Sequence, residues 1–162
     1  MLIAHAPNGY IVSKAIHKRY RYVVYSLIFS VWPDLDLIYY YFFDRSGYFH
    51  HTYITHLPFA ILIGFLVTLP LTCLNFSKRF RIYYWLFFIN WSLHLLLDTF
   101  TGGIMWLYPF SNEMFLMIEI PAISQNWIVS FVLHWSFMIE SAIVALSAII
   151  WIQARYSKNT KS

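Results

Sequence analysis

The stretch LPFAILIGFLVTLPLTCLNFSKRFRIYYWLFFINWSLHLLLDTF, residues 57–100, decides how this chain is read. It holds two apolar runs, residues 57–76 and 82–100, separated by the basic cluster Lys78-Arg79-Phe80-Arg81. Crossing a bilayer takes about 20 mostly apolar residues, so the spacing predicts two membrane spans joined by a basic turn. A third run of that length covers residues 127–152, with Trp127 and Trp151 near its ends, where interfacial aromatics belong.

Composition agrees. The 162 residues are 60% hydrophobic and 22% aromatic, with 11% charged, against roughly 25% charged residues in soluble domains. A soluble domain of this size has too little polar surface left to face water, so the surplus apolar surface faces lipid. No Gly/Ser-rich or Pro-rich linker divides the chain, and residues 1–162 read as one membrane-embedded domain. The net charge of +4 is too small and too scattered for nucleic acid. Lys18, Arg19 and Arg21, then Lys78, Arg79 and Arg81, then Arg155, Lys158 and Lys161 each lie beside an apolar run, as cytoplasmic anchors do. Cys73, the single cysteine, excludes intrachain disulfides and reads as a small packing residue. The start MLIAHAPNGY lacks the pattern of a cleavable signal.

Upstream of these runs, Pro33-Asp34-Leu35-Asp36 interrupts an apolar segment at residues 22–43. Proline disfavours helix continuation and carboxylates in lipid are costly, which predicts a short helix ending near Trp32, a turn, and another short helix. Residues 8–20 form one further helix, folding back as a re-entrant element. The expected fold is an all-α integral membrane helix bundle with three full spans plus short N-terminal helices. Residues 101–126 read as a long loop, opened by Gly102 and Gly103; its part at 112–124 either lies along the interface or simply covers the bundle.

The scarce acids and histidines fall in a pattern. Asp34 and Asp36 end one helix, His51 and His56 precede the first long run, His94 and Asp98 close the second, and His5 stands near the start. If the first run leaves the site and the second returns from the basic turn, all of these meet at one end of the bundle. By the positive-inside rule that end is non-cytoplasmic. His94 and Asp98, spaced i,i+4, share a helix face, which suits joint metal binding or a carboxylate orienting a ligating imidazole. The plainer reading is a His–Asp hydrogen bond that neutralises two polar groups. Asp34 and Asp36 approach a cation or serve as a solvated turn, Asp36 being the better candidate for a helix N-cap. Thr55 is a supporting hydroxyl. His50 reads as an interfacial bystander and His17 as a headgroup contact. His134 and Glu140, six apart in the last run, form no obvious pair.

The order His5 and Gly9, Pro33-Asp34-Leu35-Asp36, His51-x-x-x-Thr55-His56, His94-x-x-x-Asp98, Thr101-Gly102 and Tyr108-Pro109-Phe110 resembles the YdjM-like family. That family is described as inner-membrane-associated metal-dependent hydrolases and is also labelled LexA-binding. The resemblance covers residues 1–110, and the last run matches only in hydrophobicity. The family is distantly similar to the zinc-dependent phospholipase C and single-strand nuclease superfamily, all-helical enzymes with histidine and aspartate metal ligands. It implies a bacterial inner-membrane location and phosphoester hydrolysis, with His5, Asp34, Asp36, His51, His56, His94 and Asp98 as ligands or their supports. Two departures stand out. Thr52 replaces the family's basic residue after the first histidine of the third motif, and His134 is followed by Met138, so the His-x-x-x-Glu pair of the soluble enzymes is absent.

Imidazole and carboxylate ligands suit zinc first and manganese second, with Asp34 or Asp36 accepting the proton of a metal-bound water. A site at the membrane face suits a lipid-linked phosphoester, and membrane lipid is the expected partner. Two rivals remain: a scaffold with a structural metal or polar network, and a metal transporter. Carboxylates recurring beside the histidines argue against haem.

Overall fold

The computed structural model describes residues 3–17, 19–44, 49–74 and 77–159. Lys18, Lys161 and the side chains of Cys73 and Lys158 lie outside the described residues, as do residues 45–48 and the expected end of the first run at residues 75–76. The fold is all-α. Its helices are α1 (His5–Ile16), α2 (Tyr20–Val31), α3 (Asp36–Phe42), α4 (Pro58–Cys73), α5 (Lys78–Thr101), α6 (Trp127–Val132) and α7 (Phe137–Asn159), with 3-10 turns at Pro33–Leu35, His50–Thr52 and Ile54–His56.

Three full spans are not found, and each departure has a physical cause. Helix α4 has 16 residues with Pro70 inside it. At 1.5 Å per residue it reaches about 24 Å, short of the roughly 30 Å hydrocarbon layer. Helix α5 is long enough at 24 residues. However, it starts at Lys78 rather than Ile82, takes Arg79 and Arg81 into its first turn, and buries Asn90, His94 and Asp98 on its inner face. The third run is broken in two. Helix α6 stops at Val132, and the ring of His134 bonds Ser136 through Nδ1, meeting the Oγ at 2.9 Å and accepting from the backbone N–H. Among the described helices, only Phe137–Ser157 of α7 is both long and apolar enough to cross a membrane, and very little of it is buried against the rest of the chain.

Helices α1, α2 and α5 form the centre, with α4 on the far side of α5 and α7 against α1. At one end Val12, Tyr22 and Leu86 make an apolar core, flanked by Phe29, Ile82, Tyr83, Ile89 and Leu93. Basic residues gather at the same end: Lys14 in the last turn of α1, Arg19 and Arg21 at the start of α2, and Lys78, Arg79 and Arg81 at the start of α5. Helix α7 runs alongside α1 in the same direction, since Ile3 meets Glu140 and Tyr10 shares a cavity wall with Trp151.

Midway, the seam is made of small and polar residues. Ser26 Oγ donates to the Gly9 carbonyl at 2.7 Å and accepts from Asn90 Nδ2 at 2.9 Å, so one chain of bonds crosses α1, α2 and α5. Close helix approach of this kind needs small side chains. A Cβ on Gly9 would lie 2.7 Å from the Ser26 carbonyl and collide with the Ser30 side chain. The long loop then folds back over the end of α5: Met117 and Ile118 donate to the carbonyls of Thr99 and Phe100, and Ile104 pairs with Phe115. It therefore covers the helix end, with the positive φ falling at Gly103.

Gly9→Ala is expected to destabilise the protein by about 1–3 kcal/mol through overpacking. A lowered thermal midpoint of the detergent-solubilised variant checks it; an unchanged midpoint would mean that α1 and α2 can separate freely.

Candidate metal centre

Proline sets the position of the acids. Pro33, buried and without an N–H, ends α2 and leads into the 3-10 turn that carries Asp34. Asp36 begins α3 but does not cap it; no side chain does. Two further 3-10 turns present His51 and His56, and Pro58 in the first turn of α4 fixes the exit. His94 and Asp98 stand one turn apart on the buried face of α5, and His5 opens α1.

The structure brings one ligand atom each from Asp34, His56, His94 and Asp98 within 4.8 Å of one another. His94 Nε2 lies 3.0 Å from Asp98 Oδ2 and 3.4 Å from Asp34 Oδ1. His56 Nε2 lies 3.7 Å from each of the same two oxygens. His51 Nε2 faces Asp98 Oδ2 at 3.9 Å. His5 reaches the other oxygen, its Nε2 3.1 Å from Asp98 Oδ1, while its ring stacks on His94 with centroids 3.7 Å apart. Asp36 lies behind His56, and Thr55 donates to the Asp36 carboxylate. Thus Asp34, His56, His94 and Asp98 form the group, His51 borders it, and His5 and Asp36 touch it through a neighbour.

The other ring nitrogens of His94, His51 and His56 are engaged. His94 Nδ1 bonds the Ser30 carbonyl at 2.8 Å, and His51 Nδ1 bonds the carbonyls of Gly102 and Gly103 at 2.8 and 3.0 Å. Carbonyls only accept, so these nitrogens carry the proton. His56 Nδ1 bonds Asp36 Oδ2 at 2.8 Å. Each Nε2 therefore faces carboxylate oxygens and offers them a lone pair when its ring is neutral, and the buried Nε2 atoms of His56 and His94 have no hydrogen-bond partner.

Burial pushes His51 down to about 4, which keeps its ring neutral. Burial acts to raise Asp34, but the adjacent His56 and His94 outweigh it and hold the carboxyl well below the usual range. For His56 burial acts downward, and Asp34 and Asp36 reverse it, raising the imidazole. Both shifts favour the charged pair, a protonated His56 ring beside ionised carboxylates. Asp34 is the access point, with 30% of its side chain exposed beside near-fully buried partners.

The sequence reading missed His50. Its half-buried ring packs against His51 and His56 rather than standing aside; the doubled histidine was the available signal. Elsewhere His17 accepts from the Arg19 N–H and tilts onto Tyr22, and Glu140, fully buried, accepts from the Ile3 N–H at 2.6 Å.

An all-helical protein with a buried histidine/aspartate cluster at one end and one apolar helix of spanning length is thus defined. The chain belongs to the YdjM inner membrane protein family, whose family model matches residues 1–160. No curated protein and no solved structure matches it.

A Cβ on Gly102 would run into the His51 ring and lie 3.1 Å from the Asp98 carbonyl. Gly102→Ala is expected to cost about 1–3 kcal/mol and to expose His51 to diethyl pyrocarbonate. Mass spectrometry of the modified peptides checks this: wild-type His51 stays protected and the variant's does not.

Proposed function

We propose that the chain is a membrane-bound, metal-dependent hydrolase of phosphoesters, with Asp34, His56, His94 and Asp98 holding a divalent cation. One observation carries the reading. Imidazole nitrogens with committed Nδ1 atoms point lone pairs at carboxylate oxygens across 3.0–3.7 Å. Ligands on metal bonds of 2.0–2.2 Å in tetrahedral array sit about 3.3–3.6 Å apart. The 3.4 Å from His94 to Asp34 falls in that range, the two 3.7 Å contacts of His56 lie just beyond it and are too long for hydrogen bonds, and the 3.0 Å from His94 to Asp98 is of hydrogen-bond length. The nitrogen and oxygen donors favour zinc, then manganese.

A cation held there supplies Lewis-acid polarisation and a bound water of lowered pKa. The chain's own residues do the rest. Asp36, itself held by Thr55, and the Ser30 carbonyl fix the ring orientations of His56 and His94. His5 fixes Asp98 through Oδ1. Asp34, half-buried and the most accessible of the four, is the ligand placed to loosen and accept a water proton; Asp36, engaged with His56 and Thr55, is a positioning residue. The distant similarity to zinc-dependent phospholipase C and single-strand nucleases supports phosphoester chemistry, and the inner-membrane setting supports a lipid-linked substrate. The basic residues at the opposite end of α1, α2 and α5 support a site on the non-cytoplasmic side.

Metal content of detergent-purified protein, prepared without chelators, tests the reading. Near-stoichiometric zinc or manganese is expected in the wild type and is lost in His94→Ala and Asp98→Ala, together with hydrolysis of aryl phosphodiesters and phospholipids. Asp36→Asn is expected to weaken retention about 10–100-fold in chelator competition, as loss of a ligand's supporting partner does. No metal in the wild type after add-back leaves a polar network bracing a helix bundle instead. For orientation, Asn112→Cys in a Cys73→Ser background is expected to react with a membrane-impermeant maleimide from the periplasmic face. Labelling only in inverted vesicles would reverse the assignment.

A further inference from the structure

Helix α7 has the length and apolarity to span the membrane, yet very little of it is buried against the rest of the chain. At the site end it meets the start of α1 directly, where the Ile3 N–H donates to Glu140. Further along, the two helices part around a cavity of about 390 Å³, within the range of about 300–1,000 Å³ for pockets that enclose a small ligand. Its α7 wall is Val144, Ser147, Ala148 and Trp151, spaced i, i+3, i+4 and i+7 on one helix face. Pro7 and Tyr10 of α1 stand opposite. The small side chains of Ser147 and Ala148 leave the space.

Each aromatic wall carries a cation one turn nearer the basic end. Lys14 Nζ lies 5.1 Å from the Tyr10 ring centroid, and the Arg155 guanidinium lies 4.9 Å from that of Trp151. Because α1 and α7 run in the same direction, both cations flank the same end of the cavity, and the Arg155 charge also acts on Tyr10. Arg19 and Arg21 gather at that end too, at the start of α2. From Val144 to Arg155 the helix rises about 16 Å at 1.5 Å per residue. That is close to half of the roughly 30 Å hydrocarbon layer, the depth of one leaflet.

We propose that the cleft between α1 and α7 binds one anionic phospholipid of the cytoplasmic leaflet, with an acyl chain in the cavity and the headgroup phosphate on Lys14 and Arg155. Three observations fit this occupant: apolar walls, a length of one leaflet, and paired cations at the end that the positive-inside rule places in the cytoplasm. Basic pockets between membrane helices on that side take anionic headgroups. The lipid then joins the spanning helix to the bundle where the chain's own side chains leave a gap. None of these residues belongs to the histidine/aspartate cluster, so the inference is independent of the metal reading. The plainer role of Lys14 and Arg155 is cation–π packing on Tyr10 and Trp151, which gives the cavity no part in their action.

The test is native mass spectrometry of the detergent-purified full chain, titrated with phosphatidylglycerol or phosphatidylcholine. Wild type is compared with the double variant Lys14→Gln/Arg155→Gln and with Ser147→Phe and Ala148→Phe, thermal midpoints serving as folding controls. Ala148 is exposed at the cavity rim, so a larger ring there is tolerated. Wild type is expected to retain one phosphatidylglycerol and to hold phosphatidylcholine far more weakly. Loss of both cations is expected to weaken phosphatidylglycerol binding about thirtyfold, and each phenylalanine, which fills the cavity and keeps the charges, to displace the lipid. Equal binding by all four proteins overturns the site, the lipid then belonging to the general annulus. Loss on charge removal without an effect of either phenylalanine overturns the cavity as the seat of the chain. Loss with the phenylalanines but not on charge removal overturns the anionic headgroup. A lipid-free dimer in the wild type overturns the proposal as well, because a second copy then covers the cleft.

Discussion

The commitment of three imidazole Nδ1 atoms governs the rest of this structure. Ser30, the Gly102–Gly103 pair and Asp36 each take one, so three Nε2 atoms turn inward on carboxylate oxygens. A buried lone pair facing another lone pair is costly, and in a low-dielectric interior the cost is not relieved by water. The raised His56 and depressed Asp34 show that positive charge is favoured there, supplied by a protonated imidazole or by a bound cation. Around His56 and His51 the geometry leaves gaps of 3.7–3.9 Å that direct hydrogen bonding would have closed.

That commitment depends in turn on backbone positions, which explains the tight packing between helices. The carbonyl that holds His94 belongs to Ser30, whose side chain sits where Gly9 lets α1 approach α2. The chain of bonds from Gly9 through Ser26 to Asn90 ties α5 to the same contact one turn lower. Gly102 plays the matching part for His51: it gives the carbonyl and lacks the Cβ that would strike the ring. Small residues here serve the ring orientations as much as they serve helix packing. The loop that covers the end of α5 satisfies the carbonyls of Thr99 and Phe100 and so steadies the turn that carries Asp98.

Local features were legible from the sequence where a single residue dictates them. Pro33 announced the end of α2, and the i,i+4 spacing put His94 and Asp98 on one face. Spans were less legible, because hydropathy counts apolar residues without knowing where a helix stops. Pro70 and the end at Cys73 shorten α4, the polar inner face of α5 points into the bundle, and the His134–Ser136 contact breaks the third run. His50 was passed over because adjacency in sequence does not tell which of two neighbouring histidines turns inward. The 3-10 turn at His50–Thr52 sends both towards the cluster. The carbonyls of Ser30 and Gly102 leave no trace in a sequence at all, since every residue has one.

The placement of the remaining buried acid bears on what the cluster is for. A transport path needs ligating groups at successive depths, and Glu140 is the acid within the last apolar run that such a path would use. It instead lies beside Ile3, two residues from His5, at the same end as Asp98. The acids Asp34, Asp36, Asp98 and Glu140 thus gather at one level, while the opposite end carries the apolar core around Val12, Tyr22 and Leu86. A purely structural ion is the stronger rival, because four protein ligands make the closed shell of structural sites; what speaks for chemistry is Asp34, which keeps 30% of its side chain exposed. One accessible carboxylate over a buried cage is the arrangement that admits a reactant, and this favours chemistry at the membrane face over passage through it.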